Sequence, residues 1–326
     1  MIRVLAVMLL WVAASSFLSE AQAQQVFELQ PEYVYGKNRK PKMGYRKPEV
    51  FDPLSDEFYQ SGYRDFPAIP DELKEVDAMT RTQKLGRILV CADGWFWPFS
   101  RTARKHEPPG IDIEIMQAIA RKNNWDIGIM WANTGTRFGQ GPAFHATIDR
   151  GVCDVFVGLT ITGEDQHLSR HTMLFSNPYM SSGFVLVTQG PAKDVKTLDD
   201  VKARGIKIGV PVYSPIYRYV QANGFQYEGF YQSHMVIEAL LKGEVNAAMI
   251  WAGAVSRAKL EHPEAEFEMV KGYMPMSEMR WNSAWGVKEK EVELMQFINA
   301  ALGEMHKKGE IRRIVERYGM PYLPPF

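Results

Sequence analysis

Large aromatic side chains stand at the points where several predicted strands of this chain end. Ligands of open α/β sheets bind beyond the carboxyl ends of the strands, and aromatic rings hold them through large apolar contact areas. A single ring of this kind could equally belong to the core, but as a set they predict a wide apolar cleft. The predicted cleft residues in this part of the argument are Asp93, Trp95, Trp97, Trp131, Thr160, Trp251, Trp281 and Trp285.

Side chains suited to catalysis or metal binding are sparse by comparison. His167 and His171 are four residues apart, with Glu164 and Asp165 nearby, a spacing that can ligate a metal on one helical face. No third strong ligand follows, so a solvated loop is the preferred interpretation. The sequence also has no glycine-rich phosphate loop and no nucleophile elbow. We therefore predict neither an enzyme, nor a metal site, nor a bound cofactor.

The elements that would position the aromatic residues form an α/β pattern that begins at Arg87. Short apolar runs alternate with helical patterns, and the same plan recurs in the second half of the chain. Such alternation is typical of mostly parallel sheets. We predict two lobes, the first comprising residues 86–188 with 282–326 and the second comprising residues 189–281.

Three segments carry a family resemblance. They read GIDIEIMQAIARKNNWDIGIM from Gly110, HATIDRGVCDVFVGLTITGEDQ from His145 and FSNPYMSSGFVLV from Phe175. They resemble the polar amino-acid family of extracellular solute-binding proteins, family 3 of the ABC-importer binding proteins. The resemblance implies an α/β, two-lobe periplasmic binding protein-like fold of type II, with hinged lobes and the ligand between them.

The residues that grip an amino acid in that family are replaced in this chain. The family reads roughly T-x-T-x-E-R after its third strand, and its Arg takes the ligand's carboxylate. Here Thr160, Thr162 and Glu164 are present, but Asp165 stands in place of the Arg. The acid that holds the ammonium group after the second-lobe strand is replaced by Trp251. An unpaired buried charge is costly, so a free amino acid is argued against as the ligand.

Shorter motifs resemble one branch of this superfamily. They are Val90–Asp93, Pro98–Ser100, Gly151–Val155 and Ile250–Gly253, and they are similar to the J proteins of methanol-oxidation clusters, of the MxaJ or XoxJ type. This resemblance implies a non-catalytic periplasmic accessory protein of a PQQ-dependent methanol dehydrogenase and its cytochrome c. It would bind the dehydrogenase, its cofactor or a chain segment.

Two other functions compete with the accessory role. The alternative is an ABC-importer binding protein for an unusual apolar or aromatic small molecule. The third is an enzyme on the same fold, such as a cyclohexadienyl dehydratase, for which the sequence offers no acid–base pair.

The first 23 residues predict a secretory signal that is cleaved after Ala23. Arg3 supplies the positive start, and residues 4–14 are apolar but shorter than the ~20 residues needed to cross a bilayer. An uncleaved anchor is the less favoured alternative. We predict a periplasmic protein without a membrane anchor. The formal net charge of zero gives no electrostatic case for binding nucleic acid.

The chain has two cysteines, Cys91 and Cys153, in a compartment that permits disulfides. One bridge is the simplest expectation. However, Cys91 lies toward the end of one predicted strand and Cys153 at the start of another. In adjacent parallel strands this offset exceeds the ~7 Å that two bridged Cα atoms can span. We therefore favour two buried thiols.

Residues 24–85 form an extension rich in proline and aromatic residues, with only a short helix predicted at residues 71–79. Its aromatic content argues against a disordered leader. It either wraps the first lobe or docks on an acidic partner surface such as the dehydrogenase or its cytochrome. The predicted docking residues are Lys37, Arg39, Lys40, Lys42, Arg46 and Lys47.

Overall fold

Two groups of parallel strands, joined by a pair of antiparallel strands, form one sheet of 11 strands in the described part of the chain. The computed structural model describes residues 49–50, 69–102, 108–132, 134, 141–161 and 173–326. The strands are β1 Glu49–Val50, β2 Arg87–Asp93, β3 Asp126–Ala132, β4 Val155–Ile161, β5 Met173–Phe175, β6 Met180–Thr188, β7 Ile208–Pro211, β8 Tyr227–Phe230, β9 Ala247–Trp251, β10 Glu268–Met269 and β11 Arg280–Lys288. The α-helices are α1 Asp71–Lys74, α2 Ala78–Leu85, α3 Ile111–Lys122, α4 Gly141–Ala146, α5 Leu198–Ala203, α6 Pro215–Ala222, α7 Ser233–Leu241, α8 Ala252–Glu261, α9 Val292–Lys307 and α10 Glu310–Arg317.

The first lobe is built on the parallel strands β3, β2 and β4. Helix α3 crosses between β2 and β3, and its isoleucines at four-residue spacing, Ile111, Ile115 and Ile119, are buried. Gly110 precedes this helix with a φ of 119°. A Cβ there would lie 2.4 Å from the carbonyl oxygen of Phe99, so only glycine permits the close approach that sets the start of α3.

The second lobe repeats the arrangement with β8, β7 and β9, which are also parallel. Helix α6 begins at a clear signal in the sequence, because Ser214 accepts a hydrogen bond from the Tyr217 amide and Pro215 occupies the first helical position. The carboxyl ends of β7 and β8 therefore lead directly into helices, and their connecting residues lie at the edge that faces the first lobe.

Strands β6 and β11 cross between the lobes. Residues 180–183 of β6 pair with 280–283 of β11 in antiparallel register, and β6 then continues into the second lobe beside β9. Strand β11 also pairs with β4 of the first lobe, again in antiparallel orientation. This topology confirms the predicted type II two-lobe periplasmic binding protein fold. The lobe boundaries after residues 188 and 281 stay a prediction.

The prediction of two free thiols is wrong, because Cys91 and Cys153 form a disulfide with their Cα atoms 5.7 Å apart. The pairing of β2 with β4 is as expected, with Cys91 opposite Phe156. However, Cys153 precedes β4 and belongs to a turn, in which the Val152 amide donates to the Thr147 carbonyl. The register argument failed because it extended a straight strand back to Cys153.

The N-terminal segment is described only in part. Residues 49–50 form β1, which pairs antiparallel with the edge of β3, and the predicted helix at residues 71–79 is instead divided between α1 and α2. The predicted signal peptide and the basic residues Lys37, Arg39, Lys40, Lys42, Arg46 and Lys47 lie outside the described residues. Among the helices that are described, none has the length and apolar character needed to cross a membrane.

Candidate functional site

Two stacked aromatic rings lie at the junction of the lobes, where the fold predicts the floor of the cleft. Phe96, in the loop after β2, stacks on Trp251 at the end of β9, with the ring centroids 5.8 Å apart and the planes inclined by 13°. The Trp251 indole N–H donates to Ser182 Oγ on β6 at 3.0 Å. A Cβ on Gly253 would lie 2.5 Å from the Trp251 ring. The indole is therefore fixed against the first turn of α8.

A second contact joins the lobes beside this floor. The Trp97 indole N–H donates to Ser256 Oγ on α8 at 3.1 Å, and the Ser256 hydroxyl donates to the carbonyl oxygen of Tyr318. The Trp97 and Tyr318 rings pack with centroids 5.4 Å apart. Trp97 is buried, so it seals the junction between α8 and the first lobe and does not line an open cleft.

Asp93 supports the loops at the cleft edge of the first lobe. Its Oδ1 accepts a hydrogen bond from the Trp95 amide at 2.7 Å, and its Oδ2 accepts from the amide and hydroxyl of Thr134. Both carboxylate oxygens are thereby engaged in holding the ends of β2 and β3 together. The side chain of Trp95 itself is 75% exposed, which leaves its ring free to meet a ligand.

For two of the other tryptophans, the prediction of a cleft position is wrong. Trp131 is buried in the main hydrophobic core. Trp285 has no exposed surface and packs against Tyr179. Both lie on strands whose side chains alternate between the two faces of the sheet. Each of these two rings points to the face that the main hydrophobic core covers. Trp281 is half-buried against Phe184 on the crossing strands.

Of the two remaining predicted positions, Thr160 is half-buried and lies opposite Ser283 of β11. Asp165, predicted to replace the carboxylate-binding Arg, lies outside the described residues.

An acid that the sequence did not mark lies fully buried beneath the floor. Asp112 Oδ1 accepts hydrogen bonds from the Tyr179 hydroxyl and from the Trp285 indole N–H, the latter at 2.7 Å. Its Oδ2 has no hydrogen-bond partner among the described residues. Burial raises the pKa of Asp112 to about 7, although the two hydrogen bonds oppose the rise. Asp112 thus links α3 to both crossing strands, since Tyr179 adjoins β6.

Two exposed tyrosines mark the cleft edge of the second lobe, and sequence reasoning missed them. Tyr213 follows β7 and is 87% exposed, and Tyr231 follows β8 and is 75% exposed. Their ring centroids are 6.5 Å apart. Tyr213 has a φ of 63°, which is unfavourable for a bulky residue and is found mainly at functional positions. Inspecting strand ends, as in the first lobe, marks Tyr213 as a candidate but does not show its exposure, and β8, which precedes Tyr231, was not predicted.

Metal binding has no support in the described part of the chain, where no three His, Cys, Asp or Glu side chains are grouped closely enough to hold an ion. The weak candidates Glu164, Asp165, His167 and His171 lie outside the described residues. The chemistry that the described cleft offers is therefore aromatic stacking, with hydroxyl groups from Tyr213 and Tyr231.

Comparison with known proteins agrees with this architecture. The chain is 21% identical over 241 residues to the L-cystine-binding protein TcyJ of Escherichia coli strain K12, covering 74% of this chain and 85% of that protein. The L-cystine solute receptor of Neisseria gonorrhoeae, in its unliganded open conformation, superposes with a TM-score of 0.58 at 22% identity, over 74% of this chain and 96% of that one.

An enzyme shares the same fold. An ancestral cyclohexadienyl dehydratase superposes with a TM-score of 0.57 at 15% identity, covering 74% of this chain and 96% of the dehydratase. Both structural likenesses show the fold alone. Residues 88–321 match the family model of the bacterial extracellular solute-binding proteins, family 3. Because that match spans most of the sequence, the chain belongs to the bacterial extracellular solute-binding proteins of family 3.

Proposed function

We propose that this chain is the solute-binding protein of an ABC importer and that it carries a flat apolar or aromatic small molecule, without catalysing a reaction. The single observation that carries this proposal is the Trp251 ring stacked on Phe96 at the cleft floor. Two of the proteins described above are named for L-cystine, and family membership supports the transport role.

The aromatic floor disfavours a free amino acid. In the amino-acid binders that the sequence resembles, an acid at the position of Trp251 holds the ammonium group of the ligand. Here the indole occupies that position, and its only hydrogen-bond donor is already used by Ser182. A zwitterion brought into contact with these rings would leave its ammonium group unpaired in a desolvated site, and that cost exceeds what its few other contacts return.

Three exposed aromatic rings at strand ends offer stacking surfaces for a flat ligand. Trp95 belongs to the first lobe, and Tyr213 and Tyr231 belong to the second, each just after the carboxyl end of a parallel strand, where ligands of α/β sheets bind. All three side chains remain at least 75% exposed in the described fold. If the lobes close on a flat molecule, each newly buried ring contributes roughly 2 kcal/mol. Three rings together contribute roughly 6 kcal/mol, so micromolar binding, at about 8 kcal/mol, also requires further contacts in the cleft that offset the cost of association.

The first test is to identify the solute. The protein is purified from periplasm without denaturation, and the small molecule released on unfolding is identified by mass spectrometry. We expect a compound with a planar ring system, whose binding to the emptied protein changes the fluorescence of the exposed Trp95. Release of any free amino acid would contradict the proposal.

Tyr213→Ala and Tyr231→Ala are each expected to weaken binding of that compound about tenfold or more, because each removes one stacking surface. The melting temperature should change little, since both side chains are exposed. Leu260→Ala is the matched control, because Leu260 is an exposed apolar residue of the second lobe on α8. If all three variants bind the compound with the affinity of the wild type, the two tyrosines do not contact the ligand.

The accessory role in methanol oxidation is the second candidate. The observation that favours it is the set of short motifs at 90–93, 98–100, 151–155 and 250–253. It predicts that a PQQ-dependent methanol dehydrogenase or its cytochrome c is recovered with the protein from the periplasm of methanol-grown cells. Capture of a permease instead, and neighbouring genes for a permease and an ATPase, would favour import.

A further inference from the structure

The last residues of the chain lie along one of the strands that join the lobes. The Ser181 amide on β6 donates to the carbonyl oxygen of Leu323 at 2.9 Å, and the Ser181 hydroxyl donates to that of Pro324 at 2.9 Å. The side chain of Leu323 is buried. The segment 320–326 is therefore packed into the fold at the crossing and is anchored to the first lobe through α10.

The position of this segment on β6 is specific. One edge of β6 pairs with β11 at residues 180–183. The other edge pairs with β9 only from Phe184 onward, and Leu323 occupies that edge at Ser181. The segment 320–326 thus takes, on the side of the first lobe, the place that β9 takes on the side of the second. The stretch between these two partners, Ser182–Gly183, is where the crossing strand changes lobes.

The end of the segment also binds the other crossing strand. Asn282 on β11 donates from Nδ2 to the Phe326 carbonyl oxygen at 2.6 Å, and its Oδ1 accepts from the Phe326 amide at 3.2 Å. The Arg280 guanidinium lies 4.0 Å from the centroid of the Phe326 ring. Arg280 also contacts Met274 Sδ at 3.3 Å. Phe326 is thereby held on both sides of the predicted lobe boundary, by Asn282 in the first lobe and by Arg280 in the second.

We propose that residues 320–326 act as a strap that restrains bending at the β6–β11 crossing and so limits the opening of the two lobes. The segment is fixed to the first lobe by Leu323, whereas Phe326 is held by Arg280 toward the second. A change of angle between the lobes must alter the separation of these two anchors. Opening therefore requires the contact of the Phe326 ring with Arg280 to break.

The test variant is Phe326→Ala, which removes the ring that Arg280 covers while leaving Leu323 in place. Amide hydrogen exchange is measured at residues 181–183 and 280–282. We expect exchange to be roughly tenfold faster in the variant, because the loss of the cation–π contact weakens the neighbouring hydrogen bonds. Distances between spin labels at Arg121 on α3 and Asp199 on α5, both exposed, should show a broader distribution than in the unsubstituted, doubly labelled protein.

Arg312→Ala is the matched control. Arg312 covers the Tyr322 ring at 4.9 Å, which is the same kind of contact on the same segment, but it lies entirely within the first lobe. We expect this variant to leave both measurements unchanged. The proposal is overturned if Phe326→Ala leaves the distance distribution unchanged, even with faster exchange, or if Arg312→Ala broadens it equally.

Discussion

Replacing Cys91 and Cys153 together by alanine is expected to lower the free energy of unfolding by about 4 kcal/mol. The bridge joins residues 62 positions apart, and opening a loop of this length restores conformational freedom to the unfolded chain. Both cysteines are buried in a small core cluster with Phe144 and Phe156. The bridge therefore holds β2 to the turn that leads into β4, beneath the loop that carries Phe96.

Urea unfolding followed by tryptophan fluorescence measures this difference. The wild-type protein under reducing conditions should approach the stability of the double alanine variant, because reduction opens the same loop. If the variant and the reduced protein both stay within about 1 kcal/mol of the oxidised protein, the bridge does not stabilise the first lobe as argued.

The second large effect concerns the pH dependence of stability that Asp112 imposes. Burial raises the pKa of Asp112 from 3.8 to about 7, so the folded protein holds this proton more tightly than the unfolded chain does. The resulting stabilisation is complete below pH 3.8 and is lost as the pH rises through 7. With about 1.4 kcal/mol for each tenfold change in proton affinity, the loss amounts to about 4 kcal/mol.

Comparison with Asp112→Asn isolates this effect from every other titrating group. The amide is close in shape to the protonated carboxyl and does not ionise in this range. The difference in unfolding free energy between wild type and variant should therefore fall steadily in the variant's favour from pH 4 to pH 7. A difference that stays constant across that range would show that Asp112 titrates normally.

The order of the main strands and helices of the first lobe could be predicted because it depends on local patterns, whereas β8 and α8 of the second lobe were not predicted. The run at 88–92 is apolar throughout, as is typical of a strand covered on both faces, and it lies within β2. The helical spacing of Ile111, Ile115 and Ile119 correctly placed α3. The repeat of this plan in the second half of the sequence, together with the family resemblance, was sufficient to predict two lobes.

The site was predicted less well, because a strand end locates an edge of the sheet but not the direction of each side chain. Trp131 and Trp251 both end strands, yet the first packs in the core and the second reaches the cleft floor. Whether the face of the sheet to which a side chain points is covered depends on helices and strands that are distant in sequence. For Trp285, the decisive partner is Asp112, which lies 173 residues away.

Tyr213 and Tyr231 were missed for another reason. Isolated tyrosines in loops form no periodic pattern, and their exposure is visible only once the ends of β7 and β8 are placed side by side. The disulfide was missed because the turn before β4 brings Cys153 back toward Cys91, and no local pattern predicts that turn. Contacts between distant segments account for each of these failures.

Isothermal titration of the ligand-free protein tests the central claim most directly. The titrants are L-cystine, the common amino acids, and a panel of uncharged planar aromatic compounds that includes the solute identified from the periplasm. We expect no measurable heat of binding with L-cystine or any amino acid, and micromolar or tighter binding by at least one aromatic compound, weakened in Tyr213→Ala. Micromolar binding of a free amino acid, with none of the aromatic compounds bound, would contradict the account.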